Sequence, residues 1–251
     1  MTTVLCPLQD GKSGLKLVDR MEQDTLLKAA NSARISYKKT KEKADHRDAK
    51  LTRFLDSQGH TSPFRHTYFT FHVKCPLYVF RQWIKYQVGS CWRQFEIGGS
   101  EIEVDIIDLI YDTDKGCSWN EISGRYVRLE PEFYIPDIFR TNKGVENKQA
   151  SVPICGNDFN HGMIKANILK KYHEDYYFYK GLLNKGVCKE QARAVLPQSI
   201  YTEAYWTASL QAVMHFLGQR LKEDSQWEIR QYALGIKELL KDDLESLNIE
   251  I

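Results

Sequence analysis

Residues 201–221, YTEAYWTASLQAVMHFLGQRL, place apolar side chains around most of the circumference of a helical wheel. A helix that is apolar on nearly every side is usually buried among other elements of a globular protein. This stretch therefore predicts a long helix at the centre of the core.

The rest of the C-terminal half also predicts helices. Residues 163–186, MIKANILKKYHEDYYFYKGLLNKG, have helical periodicity and end at a glycine. Residues 188–197 form a short helix closed by a proline, and residues 225–244 form a final amphipathic helix. Residues 131–160 are rich in Pro, Asn, Asp and Gly, which predicts a crossing segment without regular secondary structure.

The N-terminal half combines strands with helices. Residues 15–21 predict a strand, and a helix follows with Asp24 as its N-cap. Residues 38–50 are highly charged and form either a mobile loop or the start of a helix that ends at Gly59. YFTFHVKCP (68–76) alternates like a strand, and its final proline marks the point where a helix begins.

Size and composition limit the classes of protein. A chain of 251 residues can bury a large core, and no repeat or linker divides it. We therefore expect one α+β domain over residues 1–251. No apolar run approaches the roughly 18 residues of a membrane span, and the N-terminus does not resemble a signal peptide. The net charge of +2 gives no indication of a nucleic-acid partner.

The cysteines lie far apart, without a Cys-x-x-Cys pair, at positions 6, 75, 91, 117, 155 and 188. This spacing suggests neither a zinc site nor a compact disulfide framework. The simplest interpretation is reduced thiols in a cytoplasmic protein, with no metal site.

Three arginines lie within or next to apolar stretches of the sequence: Arg125, Arg193 and Arg220. An unpaired buried charge is costly, so each needs a partner. A structural salt bridge to Glu or Asp is one explanation, and a small anionic ligand is the other. Guanidinium groups grip phosphate with two parallel hydrogen bonds, and backbone amides around Ser123 and Gly124 could add donors.

Histidines and aromatic side chains give a weaker indication. The spacing of His60, His66 and His215 fits no metal motif, and an isolated histidine is usually structural. Aromatic side chains in apolar context are more often core residues than stacking partners of a cofactor. From the residues alone, the chain is an enzyme or a binding protein with an arginine-lined anion pocket.

Four segments, taken in order, resemble the flavin-dependent thymidylate synthases. They are GHTSPFRHTYFTFHVKCPLYVFRQW (59–83), SWNEISGRY (118–126), EFYIP (132–136), and ARAVLPQSIYTEAYWTASLQAVMHFLGQR with QWEIRQYA (192–233). The resemblance runs from about residue 15 to about residue 240, and NEISGRY and ARAVLPQSIYTE are its most specific motifs.

The resemblance implies an α+β fold in which an antiparallel sheet packs with long helices. It also implies a homotetrameric enzyme that converts dUMP to dTMP with FAD, NADPH and methylene-tetrahydrofolate. In that family reduced flavin delivers hydride to the pyrimidine, the folate donates the one-carbon unit, and no cysteine nucleophile is required.

The resemblance also implies site residues. Arg220 would be catalytic, because a fixed cation beside the uracil ring stabilises the negative charge that hydride addition builds on the N3–C4–O4 edge. The dUMP site would be shared between subunits and would comprise Gln82, Trp83, Ile84, Lys85, Glu121, Ile122, Ser123, Gly124, Arg125, Arg193 and Arg220. The flavin would contact Ser62, Lys85, Tyr86, Gln87, Val88, Glu121, Ser209, Leu210, Gln211 and His215.

Two departures from the family pattern stand out. Where the family signature opens with Arg-His-Arg, this chain has Lys85-Tyr86-Gln87, which removes two potential cations near the flavin. Residues 91–119 are an acidic insertion between the two halves of the signature. The insertion is either a solvated surface excursion or a lid or subunit contact.

Three functions are therefore considered. The first is a flavin-dependent thymidylate synthase, and the second is a flavoenzyme that modifies C5 of another pyrimidine nucleotide, such as UMP, by methylation or hydroxymethylation. The third is a non-catalytic relative that binds a nucleotide or a partner protein, because the triplet lacks cations and the signature is interrupted.

Overall fold

The computed structural model describes residues 3–21, 24–86, 118–129, 132–142, 144–147, 149–155 and 160–249. The insertion predicted at residues 91–119 lies outside these ranges except for its last two residues.

A five-stranded sheet forms one layer of the molecule, with strand order β1-β2-β3-β7-β4 and antiparallel pairing throughout. A two-stranded hairpin, β5-β6, lies apart from it. The strands are β1 (Val4–Leu5), β2 (Gly14–Arg20), β3 (Tyr68–Pro76), β4 (Ser118–Glu121), β5 (Arg140–Thr141), β6 (Val152–Pro153) and β7 (Tyr201–Ser209).

Helices provide the second layer, joined by short 3₁₀ turns at Ile35–Tyr37, Ser62–Arg65 and Arg193–Val195. The helices are α1 (Thr25–Arg34), α2 (His46–Ser57), α3 (Leu77–Trp83), α4 (His161–Asn184), α5 (Lys189–Ala192), α6 (Leu210–Arg220), α7 (Trp227–Leu239) and α8 (Lys241–Leu247).

The prediction of one long helix over residues 201–221 is wrong for its first half. Residues 201–209 form β7, which pairs with β3 on one side and β4 on the other, and only α6 is helical. Buried residues alternate along β7, with Ala204 and Trp206 inside and Tyr205 half-exposed between them. This period of two indicates a strand. The stretch contains so many apolar and aromatic residues that it also looks apolar on nearly every side of a helical wheel, so the alternation is easily missed.

The other boundaries follow local chemistry. Asp24 caps α1, as predicted, by accepting a hydrogen bond from the Leu27 amide at 3.0 Å. The charged stretch 38–50 is divided at Asp45, whose capping box starts α2, and Gly59 follows that helix with φ of +69°. The predicted final helix is interrupted at Leu240, between α7 and α8.

The core lies between the inner face of the sheet and helices α3, α6 and α7. Trp83 is at its centre and is fully buried, with its indole ring stacked on Phe216 at 4.9 Å and set edge-on to Trp206 at 5.4 Å. Trp119 of β4 stacks on Trp206 at 5.5 Å and closes this aromatic cluster. The cluster fixes the end of α3 against β4 and β7, which carry neighbouring polar side chains.

Candidate active site

A cavity of about 590 Å³ opens where α3, the end of β4 and the segment after α5 meet. Its lining includes Glu121, Ile122, Gly124, Arg193 and Ile84, all of which were predicted to bind the nucleotide. Two segments more than 60 residues apart in the chain, 121–124 and 190–202, therefore face one space.

The turn at residues 122–127 explains the mixture of polar and apolar residues in SWNEISGRY. The Ile122 amide donates to the Glu203 carbonyl at 2.9 Å and extends the ladder between β4 and β7 by one bond. The Ser123 carbonyl then accepts from the amides of Tyr126 and Val127, at 3.0 and 3.2 Å. The chain thus changes from a strand to a closed turn at the rim of the cavity.

Gly124 is favoured at this turn because of packing. A β-carbon at this position would lie 3.1 Å from Cδ of Arg193 and 3.0 Å from Cδ1 of Leu129. The aliphatic part of Arg193 therefore passes close to the backbone of the turn, and any larger residue at position 124 would make Arg193 and Leu129 shift.

Glu121 is fixed by a neighbouring strand. The hydroxyl of Thr202, which is buried in β7, donates to Oε1 of Glu121 at 2.6 Å. Because a carboxylate can accept several hydrogen bonds, this contact orients the side chain and still leaves it able to accept from a ligand.

Two arginines supply the positive charge of the cavity. Arg193 is exposed on the turn that follows α5, and Arg81 of α3 also lines the cavity. Neither makes an ion pair with any residue in the ranges that the structure describes. A cation without a protein partner beside a cavity is available to an anionic ligand.

Arg81 was not predicted from the sequence, although a signal for it exists. The residues of α3 that line the cavity are Leu77, Phe80, Arg81 and Ile84, which follow the i, i+3, i+4, i+7 spacing of one helical face. Reading α3 as a helix with one face toward the nucleotide would have included Arg81.

The same periodicity turns Gln82 and Trp83 away from the cavity. The Gln82 amide nitrogen donates to Oε1 of Gln226, whose own amide nitrogen donates to Glu228 at 2.9 Å. Trp83 belongs to the aromatic core. The exposed Lys85 and the partly buried Tyr86 continue beyond the end of α3, and the predicted contacts Gln87 and Val88 lie outside the described residues.

Arg125 and Ser123 lie on the turn but not on the lining of the cavity. Arg125 donates from Nη2 to the Tyr126 hydroxyl at 3.0 Å, and its guanidinium carbon lies 5.2 Å from the centre of that ring. The Ser123 hydroxyl accepts from the Arg125 amide at 3.3 Å. Nζ of Lys189 donates to the Tyr126 carbonyl at 2.9 Å and ties the turn to α5.

Most of the residues predicted to contact a flavin, together with Arg220, form a second group on and around α6. Tyr86 and His215 have ring centres 5.6 Å apart, and the Arg220 guanidinium carbon lies 5.0 Å from the centre of the Tyr86 ring. Near the start of α6, Arg65 donates from Nε to Oε1 of Gln211 at 2.5 Å. Ser62 is exposed on the adjacent 3₁₀ turn.

Two predicted flavin contacts have structural side chains. Ser209 is fully buried, and its hydroxyl caps α6 by accepting from the Ala212 amide at 3.2 Å. Leu210 is fully buried in the core. Within one chain, Arg220 does not line the cavity that contains Arg193, so the structure divides the predicted residues into two groups.

The described cysteines offer no thiolate at the cavity. Burial raises the pKa of the Cys75 thiol well above its ordinary range, with the charge of Glu121 adding to the effect. Cys6, Cys155 and Cys188 are exposed and do not line the cavity.

The described part of the chain contains no cluster of three or more His, Cys, Asp or Glu side chains arranged to hold a metal ion. None of the helices within the described ranges has the length and apolar character needed to cross a membrane.

Comparisons with known proteins cover most of the chain. A family model described as thymidylate synthase complementing protein matches residues 16–96 and 112–244. Flavin-dependent thymidylate synthases from Thermosipho africanus and Thermus thermophilus are each 38% identical over 231 residues, or 92% of this chain, and the matches cover 87% and 72% of those relatives.

Solved structures share the fold. The UMP/dUMP methylase PolB from Streptomyces cacaoi, bound with 5-Br dUMP, matches with a TM-score of 0.72 at 24% identity, covering 93% of this chain and 92% of PolB. Its complex with 5-Br UMP matches with a TM-score of 0.68 and covers 93% and 94% of the two chains. The fold predicted from the resemblance is thereby confirmed. With the family model and the relatives covering most of its length, the chain belongs to the flavin-dependent thymidylate synthases and is an enzyme of that family.

Proposed function

We propose that the enzyme converts dUMP to dTMP by reductive methylation, with methylene-tetrahydrofolate, FAD and NADPH. The observation that carries this proposal is the cavity in which Glu121, Gly124 and Arg193 meet. Its volume of about 590 Å³ suits a mononucleotide, and its lining combines arginines, carboxylates and apolar side chains.

The phosphate of dUMP is proposed to bind between Arg81 and Arg193. Both guanidinium groups lack an ion-pair partner within the described residues, and a guanidinium matches phosphate oxygens with two parallel hydrogen bonds. Phe80, Ile84 and Leu129 supply apolar surface for the flat face of the base and for the sugar ring. The carboxylates of Glu121 and Glu190 are acceptors suited to sugar hydroxyl groups.

Arg220 is proposed to stabilise the charge that develops on the uracil ring. Hydride addition places negative charge on the N3–C4–O4 edge, and a preorganised cation at that edge lowers the barrier. Because Arg220 does not line the cavity of its own chain, we propose that another subunit provides it.

A homotetramer with shared active sites accounts for this separation. Helix α4 supports such an assembly, since Met163, Tyr177 and Phe178 are each more than half exposed along it. Large apolar side chains on one helix of an isolated chain are typical of a surface that another subunit covers.

The residues around α6 fit a flavin. Tyr86 and His215 present rings, Ser62, Arg65 and Gln211 present polar groups, and Nε of Arg220 is buried without a hydrogen-bond partner in the described structure. When bound, the flavin supplies hydride chemistry, NADPH supplies its electrons and methylene-tetrahydrofolate supplies the one-carbon unit. The chain's own contribution is to orient these groups and to hold positive charge beside the base.

The state of the cysteines supports a route without an enzyme thiolate. Among the described cysteines, Cys75 is held as a neutral thiol by burial, and the exposed Cys6, Cys155 and Cys188 do not line the cavity. A mechanism that delivers hydride directly to the pyrimidine needs no covalent bond to the protein.

Methylation of UMP is a second candidate. PolB, which shares the fold, is described as a UMP/dUMP methylase and was solved with both 5-Br UMP and 5-Br dUMP. The two carboxylates of the cavity in this chain, Glu121 and Glu190, could accept from a ribose 2′-hydroxyl as well as from a 3′-hydroxyl.

Product analysis by mass spectrometry tests these proposals. The purified protein is incubated with FAD, NADPH and methylene-tetrahydrofolate, in parallel with dUMP and with UMP. Formation of dTMP supports the first proposal, and methylated UMP at a comparable rate supports the second. A hydroxymethylated product would replace both, and nucleotide binding without any product would indicate a non-catalytic relative.

A further inference from the structure

Tyr86 occupies a defined place against three residues of α6. Its amide donates to the Trp83 carbonyl at 2.9 Å, which carries the chain from the end of α3 toward α6. The Tyr86 ring meets Phe216 edge-on at 5.2 Å, and its centre lies 5.6 Å from His215. The guanidinium carbon of Arg220 lies over the same ring, 5.0 Å from its centre.

Among the described residues, the Tyr86 ring is the group that the structure shows in contact with the Arg220 guanidinium. Arg220 makes no ion pair with a described acidic residue, and its Nε is buried without a hydrogen-bond partner in the described structure. A cation within about 6 Å of an aromatic ring centre is attracted by the negative face of the ring, and more strongly when it is partly desolvated. The ring therefore restricts the directions in which the guanidinium can point.

We infer that Tyr86 is a positioning residue for Arg220, the arginine proposed to stabilise charge on the uracil ring. The inference rests on the proposed function, and it gives the Lys-Tyr-Gln triplet a role. At this position the family signature has histidine, and the tyrosine of this chain supplies an uncharged ring to the arginine.

The difference between tyrosine and histidine is one of charge. Tyrosine is uncharged near neutral pH, whereas histidine gains a proton as the pH falls through about 6.5. Among the described residues, the titratable or charged side chains seen against the Tyr86 ring are His215 and Arg220 of α6, and Lys85 precedes Tyr86 in the chain. A protonated imidazole in place of the phenol would add a second cation beside Arg220 and repel it.

Three substitutions separate ring, charge and bulk. Tyr86→Phe keeps the ring and should retain kcat/KM for dUMP within about twofold. Tyr86→Leu keeps apolar contact with Phe216 but removes the ring, and should lower kcat/KM about tenfold. For Tyr86→His, kcat/KM relative to the wild type at the same pH should depend on pH. It should be close to that of Tyr86→Phe at about pH 8.5 and close to that of Tyr86→Leu at about pH 5.5.

A control and an independent readout accompany the kinetics. Tyr37→Leu removes an exposed ring from the 3₁₀ turn Ile35–Tyr37, which has no part in either group of site residues, and should leave kcat/KM unchanged. Modification of Arg220 by phenylglyoxal, followed by peptide mass spectrometry, measures access to the guanidinium without any ligand. The Tyr86→Leu variant should react several-fold faster at Arg220 than the wild type, while Arg125 in the same sample should react at an unchanged rate.

The inference is overturned if Arg220 reacts equally fast in the wild type and in Tyr86→Leu, or if Tyr86→Phe is as impaired as Tyr86→Leu. It is also overturned if Tyr86→His shows the wild-type pH profile. Failure of the proposed function has a different result: the wild type itself would then form no dTMP from dUMP, while the phenylglyoxal comparison of the wild type with Tyr86→Leu would still report on the contact. Normal turnover of dUMP by Arg220→Ala would refute only the role of Arg220.

Discussion

Two arginines of the molecule, Arg34 and Arg193, occupy opposite electrostatic surroundings. Arg34 pairs with Asp48, whose carboxylate is fully buried and also lies 3.3 Å from Nζ of Lys41. Arg193 is exposed at a cavity and has no ion-pair partner among the described residues. The presence of an acidic partner within the protein, and not burial alone, therefore distinguishes a structural arginine from one that can bind a ligand.

The same criterion applies to the three arginines identified in the sequence. Arg125, Arg193 and Arg220 could each have been a structural ion pair, but none forms one with a described residue. Arg125 and Arg220 instead contact tyrosine rings, and only Arg193 lines the cavity. The three arginines therefore differ in their surroundings, although they look alike in the sequence.

The largest effect is expected at the arginines proposed to bind nucleotide. Arg193→Ala and Arg220→Ala should each abolish measurable turnover of dUMP while leaving the fold and oligomer intact, because losing the partner of a buried phosphate or developing anion costs about 2–5 kcal/mol. Steady-state kinetics and sedimentation check both parts. Arg20→Ala, which removes an exposed ion pair with Asp243, is the matched control and should retain activity. Near-normal dTMP formation in either site variant would refute the assignment.

The structural arginine should show the reverse pattern. Asp48→Ala removes the acidic partner of Arg34 and Lys41 and the acceptor of the Asp45 amide, so the free energy of unfolding should fall by about 3 kcal/mol. Denaturant unfolding measures this loss, and the affinity for dUMP of the protein that remains folded should not change. Equal stability in the variant and the wild type would contradict the structural role.

The triplet should have an intermediate effect on the cofactor. Replacing Lys85-Tyr86-Gln87 by Arg-His-Arg should tighten FAD binding if the natural triplet is an attenuated form of the family site, since each added charge-assisted hydrogen bond contributes about 1.5–3 kcal/mol before side-chain ordering. Titration of FAD by fluorescence quenching compares the two proteins. Unchanged or weaker binding would exclude attenuation and indicate a cofactor site adapted to the 91–119 insertion.

A smaller effect is expected at Gly124. In Gly124→Ala the new methyl group would press on Cδ of Arg193 and Cδ1 of Leu129, which must shift at a cost of about 1 kcal/mol. The KM for dUMP should therefore rise several-fold with little change in kcat. Gly181→Ala, where a β-carbon meets nothing within 4 Å, is the control and should leave KM unchanged.

The smallest effect concerns how the stability of the protein depends on acid pH through Asp45, in the charged cluster at the start of α2. The hydrogen bond from Lys41, aided by the Arg47 amide, lowers the pKa of Asp45 to about 2. A folded-state pKa below the unfolded value of about 3.9 gives stability that is present above that value and is lost as the pH falls toward about 2. Asp45→Asn should therefore show a shallower loss of stability between about pH 4 and about pH 2, measured by acid unfolding.

Much of the local structure could be predicted from the sequence. Asp24 and Gly59 mark helix boundaries through their own side-chain and backbone chemistry, and both predictions are confirmed. The alternation of YFTFHVKCP indicates β3 correctly, because its inward and outward residues differ clearly in polarity. In residues 201–209 the outward positions include the aromatic Tyr205, so the alternation is less apparent and the strand was missed.

The candidate site shows the same division. The sequence indicated Glu121, Ile122, Gly124, Arg193 and Ile84, and the structure brings these residues to one cavity. It did not indicate Arg81, which joins them only because α3 turns one face toward the cavity and the opposite face, with Trp83, toward the core.

By itself the sequence determined the order of the motifs, the capped ends of the helices and the family, because each can be identified from residue types and their order along the chain, without knowledge of their contacts in space. Only the tertiary structure decided that residues 201–209 form a strand, since that choice depends on hydrogen-bonding partners supplied by β3 and β4. It also decided that Arg193 and Arg220 lie in separate groups, one at the cavity and one over Tyr86. The physical reason is that a strand needs hydrogen-bonding partners, and a charged side chain needs a contact, from residues that are distant in the chain. Only the packing of the folded chain determines which of those residues lie close enough.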